Sequence, residues 1–373
     1  MTAGRSGDRV LTTRELNRAT LERQLLLRRA GVGVPTAVEQ IMGLNAQVSN
    51  PPYLSLWSRV EGFERDHLER LIMDRTAVRS PVVRGTQRLV TADDFAWMRP
   101  AVAPTLARGV RSTFGRQLDG LDLAELAQVA RSALEVEPRS GAELRRILVQ
   151  RFPSYDRSAL AQSVIYLVPL VATPPAGLWG SRARITHALA EQWLGRPLDA
   201  EPDLARLVVR YLAAFGPATP ADLREWSRVA GLRAVFDELR PSLRTYRDED
   251  GRELFDLPDA PMPDPATPAP VRFLPDFDEL LMAHADRRRV MTDEVRRVAC
   301  IPDIVKATVL VDGVVAAMWR IERDGDDAEL LITLLGDLAE RDRESIAEEG
   351  ARLLAFAEPD VRQTDVRILP PVP

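Results

Sequence analysis

Cysteine, lysine and histidine are nearly absent from this chain of 373 residues: Cys300 is the only cysteine, Lys306 the only lysine, and His67, His187 and His284 stand far apart. A single thiol excludes an internal disulfide, and three scattered imidazoles offer no metal-ligand spacing, so neither a structural metal nor a cofactor is expected. A Schiff-base mechanism would have to use Lys306 or the chain terminus. Lys306 falls in a strand-like run, residues 304–309, which argues against that chemistry. No apolar run reaches the length of a membrane span, and residues 1–9 lack the apolar core of a signal peptide, so the expectation is a cytoplasmic protein.

Arginine supplies almost all of the 50 basic residues, a bias that reflects a GC-rich, bacterial type of coding sequence better than selection for phosphate binding. The net charge of −5 excludes a globally basic nucleic-acid coat. It leaves room for a local basic surface, which is all that DNA binding needs. A hydrophobic content of 45% and a charged content of 28% are ordinary for a globular protein, and the length exceeds one ordinary core, so two or three units are expected. Gly31-Val32-Gly33 lacks a third glycine and runs into Pro35, which removes it as a dinucleotide fingerprint.

Asn45-Ala46-Gln47 carries the first candidate chemistry. In an extended segment, side chains two apart point the same way, so Asn45 and Gln47 would share one space while Ala46 faces the core. Paired neutral amides can hold a water or a polar transition state. The alternative is that they cap a helix ending near Leu44 and bond local backbone ahead of Pro51-Pro52.

Around this motif the order is helix, helix, helix, hairpin. Thr12 and Glu15 form a capping pattern, Pro35 suits the first turn of a second helix, and residues 53–60 and 66–74 are helical by period. Residues 77–90 read as two short strands. The order returns after a helix at residues 93–98. Residues 123–134, 141–150 and 158–165 are helical, and 168–171 with 183–186 could form a second hairpin. It is clearest in the third stretch, where residues 204–215 form an amphipathic helix, Thr219 caps a helix opened by Pro220, and residues 243–257 make two strands about Glu249-Asp250-Gly251. Residues 258–270 read as an extended linker. Strands at 290–300, 307–311, 314–320 and 329–333 and a closing helix at 341–355 complete the chain, with Asp312-Gly313 as a hairpin turn. The expected fold is α+β: three tandem winged-helix units followed by a small β-rich C-terminal module with a closing helix. The boundaries fall at 1–120, 121–200, 201–258 and 259–373.

Gly43-Leu44-Asn45-Ala46-Gln47 with Tyr53, Leu56-Trp57 and Arg59, then Arg84-Gly85-Thr86-Gln87 with Leu89-Val90, and further on Leu274-Pro275-Asp276-Phe277-Asp278, resemble the winged-helix family of the AlkZ and YcaQ DNA glycosylases. The resemblance implies three winged-helix units curved around DNA and a monofunctional glycosylase that cleaves the bond between an alkylated purine and its sugar. It extends to bulky adducts and interstrand crosslinks, in repair or in self-resistance to a toxin. The family signature is glutamine, a small or apolar residue, then glutamine or aspartate. It maps onto Asn45, Ala46 and Gln47 as the catalytic group, with Asn45 one methylene short. A misplacement on the order of 1 Å can cost about a hundredfold in rate, so reduced or lost activity is one expectation. Uncharged amides suit a cationic alkylpurine, which leaves readily without a strong general acid. The competing function is a non-catalytic winged-helix DNA-binding protein, a regulator or a paralogue that shields lesions.

The partner expected is double-stranded, damaged DNA, bound by a monomer. Arg84 at the first hairpin, Arg182 and Arg184 at the second, and Arg287, Arg288 and Arg289 before the C-terminal strands are the phosphate-contact candidates. The tryptophans read as core, Trp179 excepted, since it lies between Gly177 and Gly180 in a loop and could stack on a base. His284, beside the arginine run, reads as a surface residue.

Overall fold

The computed structural model describes residues 9–301 and 304–371. Residues 1–8, over which no leader is expected, lie outside them. Thr12 accepts the Glu15 N–H and the Glu15 carboxylate accepts the Thr12 N–H, the capping box that opens the helix Thr13–Arg23. That helix ends at Arg23. Val34–Gln40, Pro51–Arg59 and Arg65–Met73 follow, then the strands Ala77–Pro81 and Gln87–Thr91. The expected helix at 93–98 is one part of the longer Ala92–Phe114, which continues through Pro100 and Pro104. Burial of Phe95, Trp97, Met98, Val102 and Leu106 along it offsets the hydrogen bonds the prolines remove.

Leu123–Val136, Gly141–Arg151 and Arg157–Leu167 precede the strands Leu170–Ala172 and Thr186–Leu189. Leu204–Phe215, Pro220–Ser227 and Leu232–Leu239 precede Arg244–Asp248 and Glu253–Asp256, and Thr219 caps the second of these helices through the Asp222 N–H. The first two hairpins belong to one sheet, because Arg79 pairs with Ala172 across it. The third hairpin takes Val10–Leu11 as a parallel neighbour, so the chain's N-terminal strand packs beside residues 244–248.

The C-terminal sheet runs Arg272–Leu274, Thr308–Val311, Val314–Asp324, Asp327–Leu334 and Gln363–Leu369, with the helix Glu340–Ala357 packed on it. The last strand, absent from the sequence expectation, returns parallel to Asp327–Leu334 after the helix. The strand expected at 290–300 is a helix over Asp293–Ala299. Thr292 caps it through the Val295 N–H, and acidic residues in its first turn with arginines in its last suit a helix and not an alternating strand. The α+β class holds throughout, and no helix among the described residues is long and apolar enough to cross a membrane.

Buried arginine–carboxylate pairs join these parts. Arg23 forks onto Asp256 (2.7 and 2.8 Å), Arg59 onto Asp278 (2.7 and 2.9 Å), and Arg88 meets Glu279 at 2.6 Å. The last two pin the start of the short helix Glu279–Met282 to the helix Pro51–Arg59 and to the strand Gln87–Thr91, the elements flanking Asn45-Ala46-Gln47.

Candidate active site

The helix Val34–Gln40 stops short of the amide motif, not at Leu44. Met42 and Gly43 both take positive φ (63° and 84°), turning the chain into the two-residue strand Leu44–Asn45. A Cβ on Gly43 would lie 2.6 Å from Val90 Cγ1 and 3.0 Å from the Leu89 carbonyl, so the position requires glycine twice over. Leu44 pairs with Leu89 and Asn45 with Arg88, and the Ala46 N–H reaches the Gln87 carbonyl at 2.9 Å. Beyond Ala46 the chain bends through residues 47–50.

That bend separates the two amides. Ala46 faces the core as expected, but Asn45 is only 6% exposed while Gln47 is open to solvent. Asn45 Oδ1 accepts the Gln47 N–H at 3.3 Å, so its amide is engaged with the backbone of its neighbour. Arg79 grips the other side: Nε–H donates to the Ala46 carbonyl (2.6 Å) and Nη2 to the Gln47 carbonyl (2.8 Å). Burial pushes this guanidinium below its ordinary pKa. The loop at 173–185 closes over the far end, where the Gly180 N–H donates to Asn50 Oδ1 (2.8 Å) and Ser49 Oγ–H to the Ser181 carbonyl (3.3 Å). Tyr53 Oη–H donates to the Gly177 carbonyl at 3.2 Å, its phenol pushed up by burial.

Next to this loop lies a cavity of about 590 Å³ whose wall includes Val48, Asn50, Trp179, Asp276, Lys306 and Trp319. Lys306 sits in the link between the short strand Ile304–Val305 and Thr308–Val311. Burial raises the Asp276 carboxyl, and the Ala307 N–H at 2.7 Å works in the opposite direction. Trp179 is half-buried in an aromatic group: its ring meets Tyr53 edge-on at 5.4 Å and Phe356 at 5.7 Å, and the Arg65 guanidinium covers it at 4.0 Å. With these neighbours it is a wall of the cavity, held in place by packing.

The arginine candidates have different fates. Arg182 and Arg184 are exposed, form no hydrogen bond or ion pair among the described residues, and ride on the segment that closes over the amide loop. Arg84 occupies the hairpin turn with φ 60°, donates to the Glu225 carbonyl (3.1 Å) and lies 3.7 Å from its carboxylate. Arg228 and Arg287 act on it electrostatically, so the fold brings Arg84 and Arg287 together with a third cation that the sequence did not single out. Arg288 is exposed but tied to Asp286 and Asp250. Arg289 is not a surface residue. At 7% exposure it donates to Thr20 Oγ1 (3.0 Å) and to the Pro217 carbonyl (3.2 Å), an internal strut that cannot contact DNA. His284, expected at the surface, is 2% exposed against the Phe215 carbonyl (2.9 Å), and burial beside Arg289 keeps it neutral.

Because Arg182 and Arg184 are unpaired among the described residues, replacing both with alanine is expected to flatten the dependence of log Kd on log salt by about 0.9 for each phosphate the arginines had neutralised. Duplex binding titrated across a salt series reads this, and an unchanged slope would remove the pair from the DNA surface.

A family model described as DNA glycosylase AlkZ-like matches residues 38–356. An interstrand DNA cross-link repair glycosylase of Streptomyces sahachiroi is 26% identical over 361 residues, covering 89% of this chain and 93% of that protein. The solved structure of Streptomyces sahachiroi DNA glycosylase AlkZ superposes with a TM-score of 0.79 at 21% identity, covering 96% of this chain and 100% of that one.

Proposed function

Because the chain belongs to the AlkZ-like DNA glycosylase family, we propose that it is a monofunctional DNA glycosylase hydrolysing the N-glycosidic bond of alkylated purines, bulky adducts and interstrand crosslinks included. The observation that carries this reading is Gln47, an amide exposed on a loop clamped from both sides and bordered by a cavity of about 590 Å³. Its carbonyl oxygen orients a water beneath the sugar carbon, and the uncharged amide tolerates the oxocarbenium-like transition state. A purine alkylated at a ring nitrogen is already cationic, so its departure needs no strong acid. A neutral amide is too weak a base to release normal purines, which confines the activity to labile lesions.

In this proposal residues 1–120, 121–200 and 201–258 act as three tandem winged-helix units and 259–373 as the module behind them, a monomer that embraces one duplex. Arg182 and Arg184 hold the backbone near the loop, and Arg84 with Arg287 holds it further along. Protection of the host against its own or a neighbour's DNA-alkylating toxin is the setting we favour, in keeping with the crosslink repair named for the relative.

The test is base release from a panel of duplexes carrying N7-methylguanine, a bulky N7-guanine adduct or a crosslink. Asn45→Gln restores the longer amide, and release faster than the parent's is the expected result. A variant no faster on any lesion would refute the view that the shorter reach limits the chemistry. The engagement of Asn45 Oδ1 with the Gln47 N–H favours a second reading, a DNA-binding protein without catalysis. Tight duplex binding with no base released across the panel would establish it.

A further inference from the structure

Beneath the amide loop, Arg79 is a buried guanidinium at 6% exposure with no carboxylate partner among the described residues. Arginine in such a place is ordinarily matched by an acid, as Arg59 is by Asp278 and Arg23 by Asp256. Here both donors in use point at consecutive peptide carbonyls, those of Ala46 and Gln47. The neighbour in the same row of the sheet, through Ala172, is His187, which is 5% exposed and lacks a partner for Nδ1 among the described residues. Burial and the charge of Arg79 push that imidazole down to about 4, so it stays neutral and supplies no counter-charge.

The Ala46–Gln47 peptide is therefore held at both ends, its oxygen by Arg79 and its N–H by Asn45 Oδ1, while the next carbonyl takes the second arm of the fork. A peptide plane held in this way fixes the direction of the Gln47 Cα–Cβ bond, although the Gln47 side chain itself is free in solvent. Two neutral donors on separate residues would satisfy the same carbonyls without burying a charge. What the guanidinium adds is one rigid plane spanning both oxygens, and charge-assisted bonds about twice as strong as neutral ones.

We infer that Arg79 is a positioning residue of the proposed glycosylase reaction, aiming Gln47 through the Ala46 and Gln47 carbonyls; the inference rests on the role given to Gln47. Lysine keeps the charge and most of the stem but cannot bridge the two oxygens in one plane. Arg79→Lys is expected to slow single-turnover release of N7-methylguanine at least tenfold, to leave duplex Kd within threefold, and to speed amide exchange at Gln47 and Val48. A parent-like release rate in Arg79→Lys would overturn the inference. So would a drop in melting temperature alone, with release unchanged once the folded fraction is taken into account. Arg79→Gln, which keeps a planar donor at the position of Nε but loses the arm that reaches the Gln47 carbonyl, is also expected to slow release. If the parent releases no base from any lesion, the glycosylase reading fails. Amide exchange still tests the clamp in that case, and parent-like protection at Gln47 in both variants would remove it.

Discussion

Gln47→Ala is expected to lower single-turnover release of N7-methylguanine by about a hundredfold to a thousandfold, the scale seen when one preorganised polar group is removed from a developing charge. Duplex affinity and melting temperature should stay close to the parent's. Gln47 is exposed and its side chain makes no hydrogen bond among the described residues, so truncation removes nothing that holds the fold together. That separation of rate from stability is what makes the substitution decisive. The leaving group is already activated, so slow spontaneous loss of the alkylpurine sets the floor, and the measured effect is the difference between water placed by an amide and water arriving by chance. Quenched-flow or manual sampling with enzyme in excess over duplex gives the rate constant, and a filter or anisotropy titration gives the affinity. Release unchanged in the variant would remove Gln47 from the chemistry and move the search to the cavity beside it.

Signals that depend only on near neighbours were legible in the sequence. Thr12 with Glu15, Thr219 with Pro220 and Asp312 with Gly313 each specify their own cap or turn, and each stands where expected. Signals that depend on what arrives from elsewhere in the chain were not. Arg287, Arg288 and Arg289 are consecutive, yet one is half-buried near Arg84, one is bound to surface carboxylates and one is enclosed between Thr20 and Pro217. Composition says nothing about which face each would occupy, because the groups that enclose Arg289 lie 269 and 72 residues away from it along the chain. The amide motif shows the same limit at closer range. Alternation was a sound guide as far as Ala46, and failed where the bend at residues 47–50 broke the period. Arg79 could have been noticed: a lone charge inside Ala77-Val78-Arg79-Ser80-Pro81 is out of place in a strand that is buried along its length. The strand Gln363–Leu369 gave a weaker signal, since it lies at the edge of its sheet with much of its surface exposed.

The amide loop is also held by a contact more than 200 residues away in sequence, and its removal should have the largest effect on stability of any single change. Asp278 and Arg59 have fully buried side chains, and both carboxylate oxygens accept from the guanidinium at 2.7 and 2.9 Å. Ser55 Oγ–H and the Leu280 N–H complete the carboxylate, while the Gln24 and Ser55 carbonyls take the remaining guanidinium donors. Asp278→Ala leaves a buried cation without its partner, and the expected loss is about 3–5 kcal/mol of unfolding free energy, read from a chemical denaturation curve. The cost belongs to the stranded charge more than to the pair. Replacing both residues with apolar ones of similar volume, Arg59→Met with Asp278→Leu, should therefore recover most of the loss, because the desolvation of two ions disappears together with their attraction. Should Asp278→Ala cost under about 1 kcal/mol, water reaches Arg59 and the site is not sealed. Should the double variant be as unstable as the single one, the pair itself holds the short helix Glu279–Met282 against the helix Pro51–Arg59. The position of the loop that leads into that helix would then rest on an ion pair and not on the packing around it.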